Sequence, residues 1–321
     1  MTRERRQSNG RLRIGMPFAA VHVALVTLVF VGWSPLAVAF AATTYLVRAV
    51  AVTVVFHRGL AHRSFRMPRW LQGVGAVVAT TAGQRGPLWW VAHHRRHHRY
   101  TDTANDPHSP VTGGFWWGHV GWLFEERNQA TDLEVVRDLA AFPELRLLDR
   151  CHHAVTVGLA AATFGLGAML ARLDPTLRVS GVQFLIWGFC LPTVALWHAT
   201  FAVNSFGHRF GRRRFATPDG SRNLWWVALL TLGEGWHNNH HRFPRNARQG
   251  LGRWELDPSW WLIWAMGRLG LAGEIRTVSA NRAASAGGHA VPARRPPYAD
   301  STAATSARAS PPAHRTPKRA A

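Results

Sequence analysis

The chain has 321 residues and a formal net charge of +21, with 38 lysines and arginines against 17 acidic residues. No zinc-finger, helix-turn-helix or single-strand stacking pattern accompanies this charge, which argues against a nucleic-acid-binding protein. The chain has 2 cysteines, both in or beside apolar stretches, so neither a disulfide framework nor an iron–sulfur site is expected. Long apolar segments that alternate with arginine-rich ones favour a membrane protein whose basic residues face anionic lipid.

The first two apolar stretches follow a basic N-terminal tail, residues 1–14. They run from Pro17 to Trp33 and from Leu36 to Phe56, and a Ser34-Pro35 turn separates them. Because a bilayer core needs about 20 helical residues, each stretch is predicted to span it. The alternative is a signal peptide cleaved near Ala37-Val38-Ala39, which would leave an odd number of spans.

Three histidine clusters are the most informative feature of the chain. Neutral imidazole is the commonest metal ligand in proteins, and these groupings are not explained by packing. The clusters are His57-Arg58-Gly59-Leu60-Ala61-His62, His94-Arg95-Arg96-His97-His98 and His237-Asn238-Asn239-His240-His241. In the last two, the first, fourth and fifth residues lie within about 100° on one face of a helix. The i, i+5 spacing of the first cluster requires a helix end or a local unwinding.

The clusters supply eight histidines, and His208 is a ninth. Nine ligands are too many for one ion, so two ions with four or five ligands each fit best. Imidazole suits zinc, copper, iron and nickel. An all-imidazole pair beside membrane spans is most consistent with iron and O2 chemistry, although composition alone leaves zinc open. Asp102, Asp106 and Glu234 are candidate acceptors that would fix the imidazole tautomers.

Further apolar segments complete the predicted architecture. Residues 67–82 and 113–124 are predicted to lie at the membrane interface, and Trp260 to Trp264 are predicted to form a docking amphipathic helix. The third and fourth spans are predicted from Ala154 to Leu170 and from Gly181 to Val203. Arg48, within the second span, is costly to bury; it would snorkel, pair with a polar neighbour or approach a substrate channel.

The distribution of arginine predicts the topology. The positive-inside rule places both termini and all three histidine clusters on the cytoplasmic side, although residues 172–178 carry two arginines against one aspartate. From residue 279 onward the chain consists largely of Ala, Pro, Arg and Ser, and is predicted to be a disordered tail. The predicted domains are therefore 1–14, a membrane domain over 15–278, and 279–321. The fold class is an all-α membrane protein with four transmembrane helices and a cytosolic helical cap that carries the di-metal site.

Four motifs together resemble the histidine boxes of membrane fatty-acyl desaturases of the stearoyl-CoA type. They are HRGLAHRSF, HRRHHRYTDTANDPHSP, NSFGH and GEGWHNNHHRFP, in the family's order and spacing between about Tyr45 and Leu271. The resemblance implies a non-haem centre of two iron ions and O2-dependent insertion of a double bond into a saturated acyl chain, with position 9 as one expectation. The metal ligands that it implies are His57, His62, His94, His97, His98, His208, His237, His240 and His241. Asn204 matches a family position that reaches a metal through water.

The resemblance leaves the carrier of the acyl chain less certain than the reaction. Animal acyl-CoA desaturases have Arg-Asp where this chain has Ala92 and His93, and basic residues near Glu125, Glu126 and Arg127. This departure argues against that mode of CoA recognition. An acyl-CoA thioester is still the first expectation, followed by acyl-lipid and acyl-carrier-protein substrates.

The chain contains neither a cytochrome b5-like motif nor a nucleotide-binding glycine motif, so electrons are expected from a separate ferredoxin or flavoprotein reductase. The expected location is a bacterial cell membrane, with the active site cytoplasmic. Two alternatives are a related di-iron fatty acid or alkane hydroxylase and a non-catalytic metal-binding membrane protein. His93 is interpreted as a bystander and His108 as structural. His119 is a candidate to line the acyl tunnel or to be simply hydrogen-bonded, and His22 and His198 are not assigned to metal.

Overall fold

The computed structural model describes residues 15–279 and Ser285, and the regular structure in this part of the chain is helical. The described residues form no strand; their β-bridges are isolated pairs, such as Arg66 with Gly273. The all-α expectation is therefore confirmed. The predicted basic tail over residues 1–14 lies outside the described residues, as does the predicted disordered tail except for Ser279 and Ser285.

Helices of very different length make up the described chain. In chain order they are α1 (Gly15–Val31), α2 (Pro35–Ala61), α3 (Arg69–Thr80), α4 (Pro87–Tyr100), α5 (Phe115–His119), α6 (Arg137–Ala140), α7 (Pro143–Leu173), α8 (Gly181–His208), α9 (Trp225–Leu230), α10 (His237–Arg242) and α11 (Pro258–Arg268).

Three of these helices, α2, α7 and α8, are long and apolar enough to cross a membrane. They contain the second, third and fourth predicted spans, but at 27, 31 and 28 residues they are longer than predicted. The reason is that each continues past its apolar stretch into a polar segment. The first predicted span corresponds to α1, which is apolar but shorter, and which a 3-10 turn over Leu25–Thr27 interrupts.

The predicted turn between the first two apolar stretches is present. Gly32, with φ of +64°, ends α1 in a backbone conformation that other residues rarely adopt. The Ser34 hydroxyl then accepts a hydrogen bond from the Ala37 N–H at 3.1 Å, and Pro35 occupies the first turn of α2. This capping starts α2 sharply.

The long helices α7 and α8 approach closely where α8 begins. A Cβ atom on Gly167 would lie 2.5 Å from the Ser180 carbonyl oxygen, so only glycine permits this approach. Arg48 of α2 is buried and pairs with polar neighbours: Nε donates to the Thr44 carbonyl at 2.9 Å and Nη1 donates to Thr193 Oγ1 of α8 at 2.7 Å. Of the alternatives for Arg48, polar pairing is the one that the fold adopts.

The ends of α2 and α8 bring the histidine boxes to one end of the helix bundle. The last part of α2, together with α3 and α4, forms the largest apolar core, which includes Phe56, Leu60, Ala79 and Val91. The predicted interfacial segments are helical at α3, at α5 with the 3-10 turn Gly121–Phe124, and at α11.

Candidate metal centre

The last eleven residues of α2, Ala51–Ala61, form a π-helix. The wider π-turn gives hydrogen bonds between residues five apart, and the His62 N–H accordingly donates to the His57 carbonyl at 3.1 Å. This widening places two histidines that are five residues apart on one face, with ring centroids 4.8 Å apart. The local unwinding that the first cluster required is therefore this π-helix.

The nine clustered imidazoles lie in two groups, and in each group one ligand atom per residue lies within 4.8 Å of all the others. We call them the five-histidine group and the four-histidine group. The five-histidine group contains His57, His62, His94, His98 and His240. The four-histidine group contains His97, His208, His237 and His241.

The second and third boxes each contribute to both groups. On α4, His94 and His98 face the five-histidine group, whereas His97 faces the other. On α10 the pattern is reversed, because His240 belongs to the five-histidine group while its neighbours at positions 237 and 241 belong to the other. The spacing thus splits each box between two adjacent sites rather than giving all three rings to one ion.

The Nε2 atoms are directed at one another within both groups. His62 and His94 are 2.6 Å apart through these atoms, and Nε2 of His240 is 3.1 Å from that of His57. In the four-histidine group, His208 and His237 are 2.9 Å apart in the same way.

Carboxylates face the opposite ring nitrogen of four of the nine histidines. Nδ1 of His57 lies 2.5 Å from Glu234, and Nδ1 of His97 lies 3.0 Å from Asp106. Asp102 is 3.0 Å from Nδ1 of His208, and Asp219 is 3.1 Å from Nδ1 of His241. Each carboxylate accepts from Nδ1–H, so the Nε2 lone pair is left facing the centre of its group.

His97 and His241 both donate Nδ1–H to a carboxylate, so their Nε2 lone pairs face each other at 3.4 Å and repel unless a cation lies between them. The arrangement therefore fits metal ions held by imidazole alone. The expected acceptors Asp102, Asp106 and Glu234 are all in contact with a clustered histidine, and Asp219 is a further acceptor that no sequence pattern predicts. Pro218-Asp219-Gly220 has the composition of an ordinary turn, so no spacing rule singled it out.

Burial favours the neutral, metal-binding form of most of these rings. Burial, reinforced by neighbouring imidazoles, holds the pKa of His94 and His98 well below the usual range, and lowers that of His241 to about 4 although Asp219 partly offsets it. At His97, burial is outweighed by the charge of Asp106, so the pKa is raised. Burial also opposes ionisation of Asp102, but the hydrogen bond from His208 outweighs it and lowers the pKa to about 2.

A buried ion network supports the first and third boxes. Arg58 is completely buried; its Nη2 lies 3.1 Å from Glu234 and 2.9 Å from Asp257, and its Nη1 donates to the Ala247 carbonyl at 2.8 Å. Asp257 in turn accepts from the Trp260 N–H and starts α11. The arginine of HRGLAH is therefore a structural link between α2, the glutamate beside His57 and the start of α11.

The short helix α10 is held by asparagines rather than by its own length. Six residues are too few for a stable isolated helix. Asn223 accepts from the backbone N–H groups of Asn238 and Asn239, at 2.9 and 3.1 Å. The side chain of Asn238 also accepts from the Phe215 N–H at 2.7 Å. The two asparagines of HNNHH therefore anchor the three histidines between which they stand.

An apolar, aromatic cavity adjoins the five-histidine group. His94, Trp90 and Asn204 of α8 are among the residues that line it. Asn204 makes no described hydrogen bond to a clustered histidine, so of the ten predicted site residues it is the one outside both groups. Gln84 donates to Thr200 at 2.9 Å and accepts from Trp90 at 3.1 Å, which fixes the wall beside His94.

The remaining histidines lie outside the two groups or at their edge. His93 lines the cavity and its Nδ1 donates to the Trp89 carbonyl at 2.9 Å. His108 stacks on His97 at 4.3 Å, and the two form a smaller constellation with Asp106. His119 is hydrogen-bonded to Ser205 and His198.

We expect Asp219→Asn to weaken metal binding by about 10–100-fold, because an amide no longer fixes His241 as a charged acceptor does. Metal retained during dialysis against graded chelator, measured by elemental analysis, provides the readout. Asp174→Asn is the matched control, since Asp174 is exposed and its carboxylate accepts from the N–H and hydroxyl of Thr176, at the start of a 3-10 turn and away from both histidine groups. Equal metal retention in both variants would remove Asp219 from the support of the site.

The part of the chain that contains the histidine clusters is similar to known proteins. A family model described as fatty acid desaturase matches residues 31–268. An sn-2 palmitoyl-lipid 9-desaturase of Nostoc sp. is 38% identical over 264 residues, covering 80% of this chain and 87% of the relative. An sn-1 stearoyl-lipid 9-desaturase of Synechocystis sp. is 38% identical, covering 83% and 81% respectively. An acyl-CoA C20 Delta5-desaturase of Anemone leveillei is 40% identical, covering 71% and 69%.

Proposed function

The chain belongs to the fatty acid desaturase family and is an oxidoreductase that desaturates fatty acyl chains; we propose that it does so with two non-haem iron ions, one in each histidine group. The observation that carries this proposal is the division of nine imidazoles into two adjacent groups whose Nε2 atoms face inward. Imidazole suits iron, and ions in both groups would use every clustered histidine. Asn204, in the cavity wall one helical turn before His208, is proposed to approach the four-histidine ion through water.

Iron ions held by the two histidine groups would supply O2 activation and the removal of hydrogen from two adjacent methylenes. In the overall reaction, one acyl chain, O2, two electrons and two protons give the unsaturated chain and two waters. The protein's own residues position the acyl chain. Trp90, Gln84 and Thr200 form a fixed wall beside His94, and the aromatic lining excludes water from the methylenes that pass it.

We depart from the sequence-based expectation in the carrier that we propose for the acyl chain. A chain esterified to a membrane lipid, rather than a CoA thioester, is supported by the names of the Nostoc and Synechocystis relatives, which specify palmitoyl-lipid and stearoyl-lipid substrates. Ala92 and His93 are both buried, and His93 lies in the cavity wall rather than on a basic surface. Position 9 of a 16- or 18-carbon chain is the proposed regiochemistry, by analogy with the palmitoyl and stearoyl substrates in those names.

The proposed membrane arrangement keeps the sequence-based topology. In it α1, α2, α7 and α8 span the bilayer of a bacterial cell, and the helices that follow α2 and α8 form a cytosolic cap with both termini on the same side. The domains are proposed to be 1–14, 15–278 and 279–321. Arginines around the boxes would favour an acidic electron donor, a ferredoxin or a flavoprotein reductase.

Expression in a host that lacks desaturases, with its fatty acids profiled by mass spectrometry, is the test of this function. We expect lipid-bound acyl chains that have lost two hydrogens, and iron in the purified protein. A product that has gained one oxygen would instead identify the related hydroxylase. Desaturated acyl-CoA formed before any desaturated lipid would overturn the proposed carrier, and active protein without iron would overturn the proposed metal.

A further inference from the structure

The inner half of α1, residues 15–24, forms one wall of the aromatic cavity. Phe18 lines the cavity together with Trp197 of α8, on which it stacks with ring centroids 5.2 Å apart and planes 9° apart. The ring of Phe124 meets the Phe18 ring edge-on, with centroids 5.5 Å apart. The opposite face of α1 exposes Val23 and Val26, which suits contact with lipid. The helix α1, whose Phe18 faces the cavity, thus stands alone between the cavity and the bilayer.

The two halves of α1 are attached differently. At its outer end, Trp187 donates to the Gly32 carbonyl at 2.8 Å and Gln183 donates to the Val31 carbonyl at 3.3 Å. Within residues 15–279, the inner half is joined to the rest of the protein by one side-chain hydrogen bond, between His22 and His198 at 3.0 Å, and otherwise by apolar packing. The 3-10 turn over Leu25–Thr27 lies between the two attachments.

The bond from His22 is the end of a hydrogen-bonded chain of three histidines. Nδ1 of His198 lies 3.0 Å from Nε2 of His119, and Nδ1 of His119 lies 2.9 Å from Ser205 Oγ. A neutral imidazole carries one N–H, so if His22 donates its own to the Phe18 carbonyl, at 2.8 Å, His198 must donate to His22 and His119 to His198. The Ser205 hydroxyl lies within reach of both His119 Nδ1 and the Phe201 carbonyl, the latter at 2.8 Å. Losing any ring interrupts the chain that fixes the inner half of α1.

We propose that the acyl chain of a membrane lipid enters the aromatic cavity sideways, between the inner half of α1 and α8. The inner half swings about the 3-10 turn, Phe18 leaves Trp197, and the hydrogen bond between His22 and His198 is the latch that closes the entrance again. This inference rests on the proposed function, and specifies how a substrate that never leaves the bilayer reaches the histidine groups.

A reversible cross-link tests the movement. Val21 packs on the α8 cluster that contains the native Cys190, so Val21→Cys gives this cluster one thiol on α1 and one on α8. In liposomes that contain saturated phospholipid and an electron donor, we expect the oxidised, cross-linked protein to lose at least about 90% of its desaturation rate, and reductant to restore it. Val21→Cys with Cys190→Ala is the matched control and should be unaffected by oxidation. Full turnover by protein that peptide mass spectrometry shows to be cross-linked would overturn the proposal.

A distance measurement tests the latch without turnover. Spin labels on Val23→Cys and on the exposed native Cys151, in a Cys190→Ala background, report the separation of α1 and α7. We expect one distance with His22 present, and a second, longer one in His22→Phe, which keeps an aromatic ring but removes the hydrogen bond. Thr43→Val, which removes a bond within α2, should keep the single distance. Identical distributions in all three proteins would show that His22 is no latch.

The two failures are distinguishable. If the unmodified protein does not desaturate lipid in the same liposomes, the proposed function fails, whereas the spin-label distances still report on α1. If it desaturates lipid equally well with α1 cross-linked, the function stands and the sideways entrance is wrong.

Discussion

Replacing His240 by alanine is expected to abolish desaturation and to lower the bound iron. Nε2 of His240 lies within 3.1 Å of that of His57 and 2.9 Å of that of His98, so it belongs to the middle of the five-histidine group. His97→Ala, which removes a ring of the four-histidine group, is likewise expected to abolish desaturation and to lower the bound iron. Replacing a residue that only hydrogen-bonds to a metal ligand typically lowers metal affinity or activity by about 10–100-fold. Loss of a ligand itself should therefore lower activity by at least about 100-fold.

His153→Ala is the matched control, since His153 is exposed on α7 and belongs to neither group. The measurements are fatty acid profiles of cells that make each variant and elemental analysis of the purified proteins. A His240→Ala or His97→Ala protein that keeps full turnover would rule out the corresponding ligand group. A variant that loses activity but keeps all its iron would show that the imidazole acts on the substrate rather than on the metal.

Arg58→Met is expected to destabilise the protein by about 3–5 kcal/mol, because it leaves the carboxylates of Glu234 and Asp257 buried without their cation. Since Glu234 also orients His57, iron should be lost in the same variant. Unfolding in detergent, followed by tryptophan fluorescence as denaturant increases, measures the stability, and elemental analysis measures the iron.

Arg66→Met provides the control for charge removal. Arg66 pairs with Glu274 at 2.9 Å, but both side chains are more than half exposed, and exposed ion pairs typically contribute less than about 1 kcal/mol. We therefore expect its unfolding midpoint to stay close to that of the unmodified protein. Equal midpoints for the two arginine variants would mean that the Arg58 network does not support the fold.

Local chemistry made part of the centre predictable from the sequence. Histidine at the first, fourth and fifth positions of two clusters identifies helical faces that carry imidazole, and nine such residues predict two ions. The apolar stretches likewise predict where α2, α7 and α8 lie, because burial in a bilayer requires long runs of apolar residues. The helix ends were less predictable, since a helix continues past its apolar stretch when polar residues beyond it find partners.

Other parts of the centre depend on contacts between distant segments. Asp219 supports His241 from a turn 22 residues away, and Asp257 reaches Arg58 across 199 residues. No pattern in either segment marks these carboxylates, because an isolated acidic residue looks the same whether it is solvated or buried beside an imidazole. The aromatic cavity was equally hard to predict, because most of its lining comes from α1, α4 and α8, and each contribution alone resembles ordinary apolar packing.

The sequence by itself determined the kind of centre: how many imidazoles there are, and on which helical faces those of the second and third clusters stand. Only the tertiary structure decided how the ligands divide, since His97 and His98 are neighbours in the chain yet face different groups. It also decided that the i, i+5 pair meets through a π-helix and that His22 closes on His198. The physical reason is that helical periodicity fixes directions within one element, whereas partnership between elements depends on how their surfaces pack.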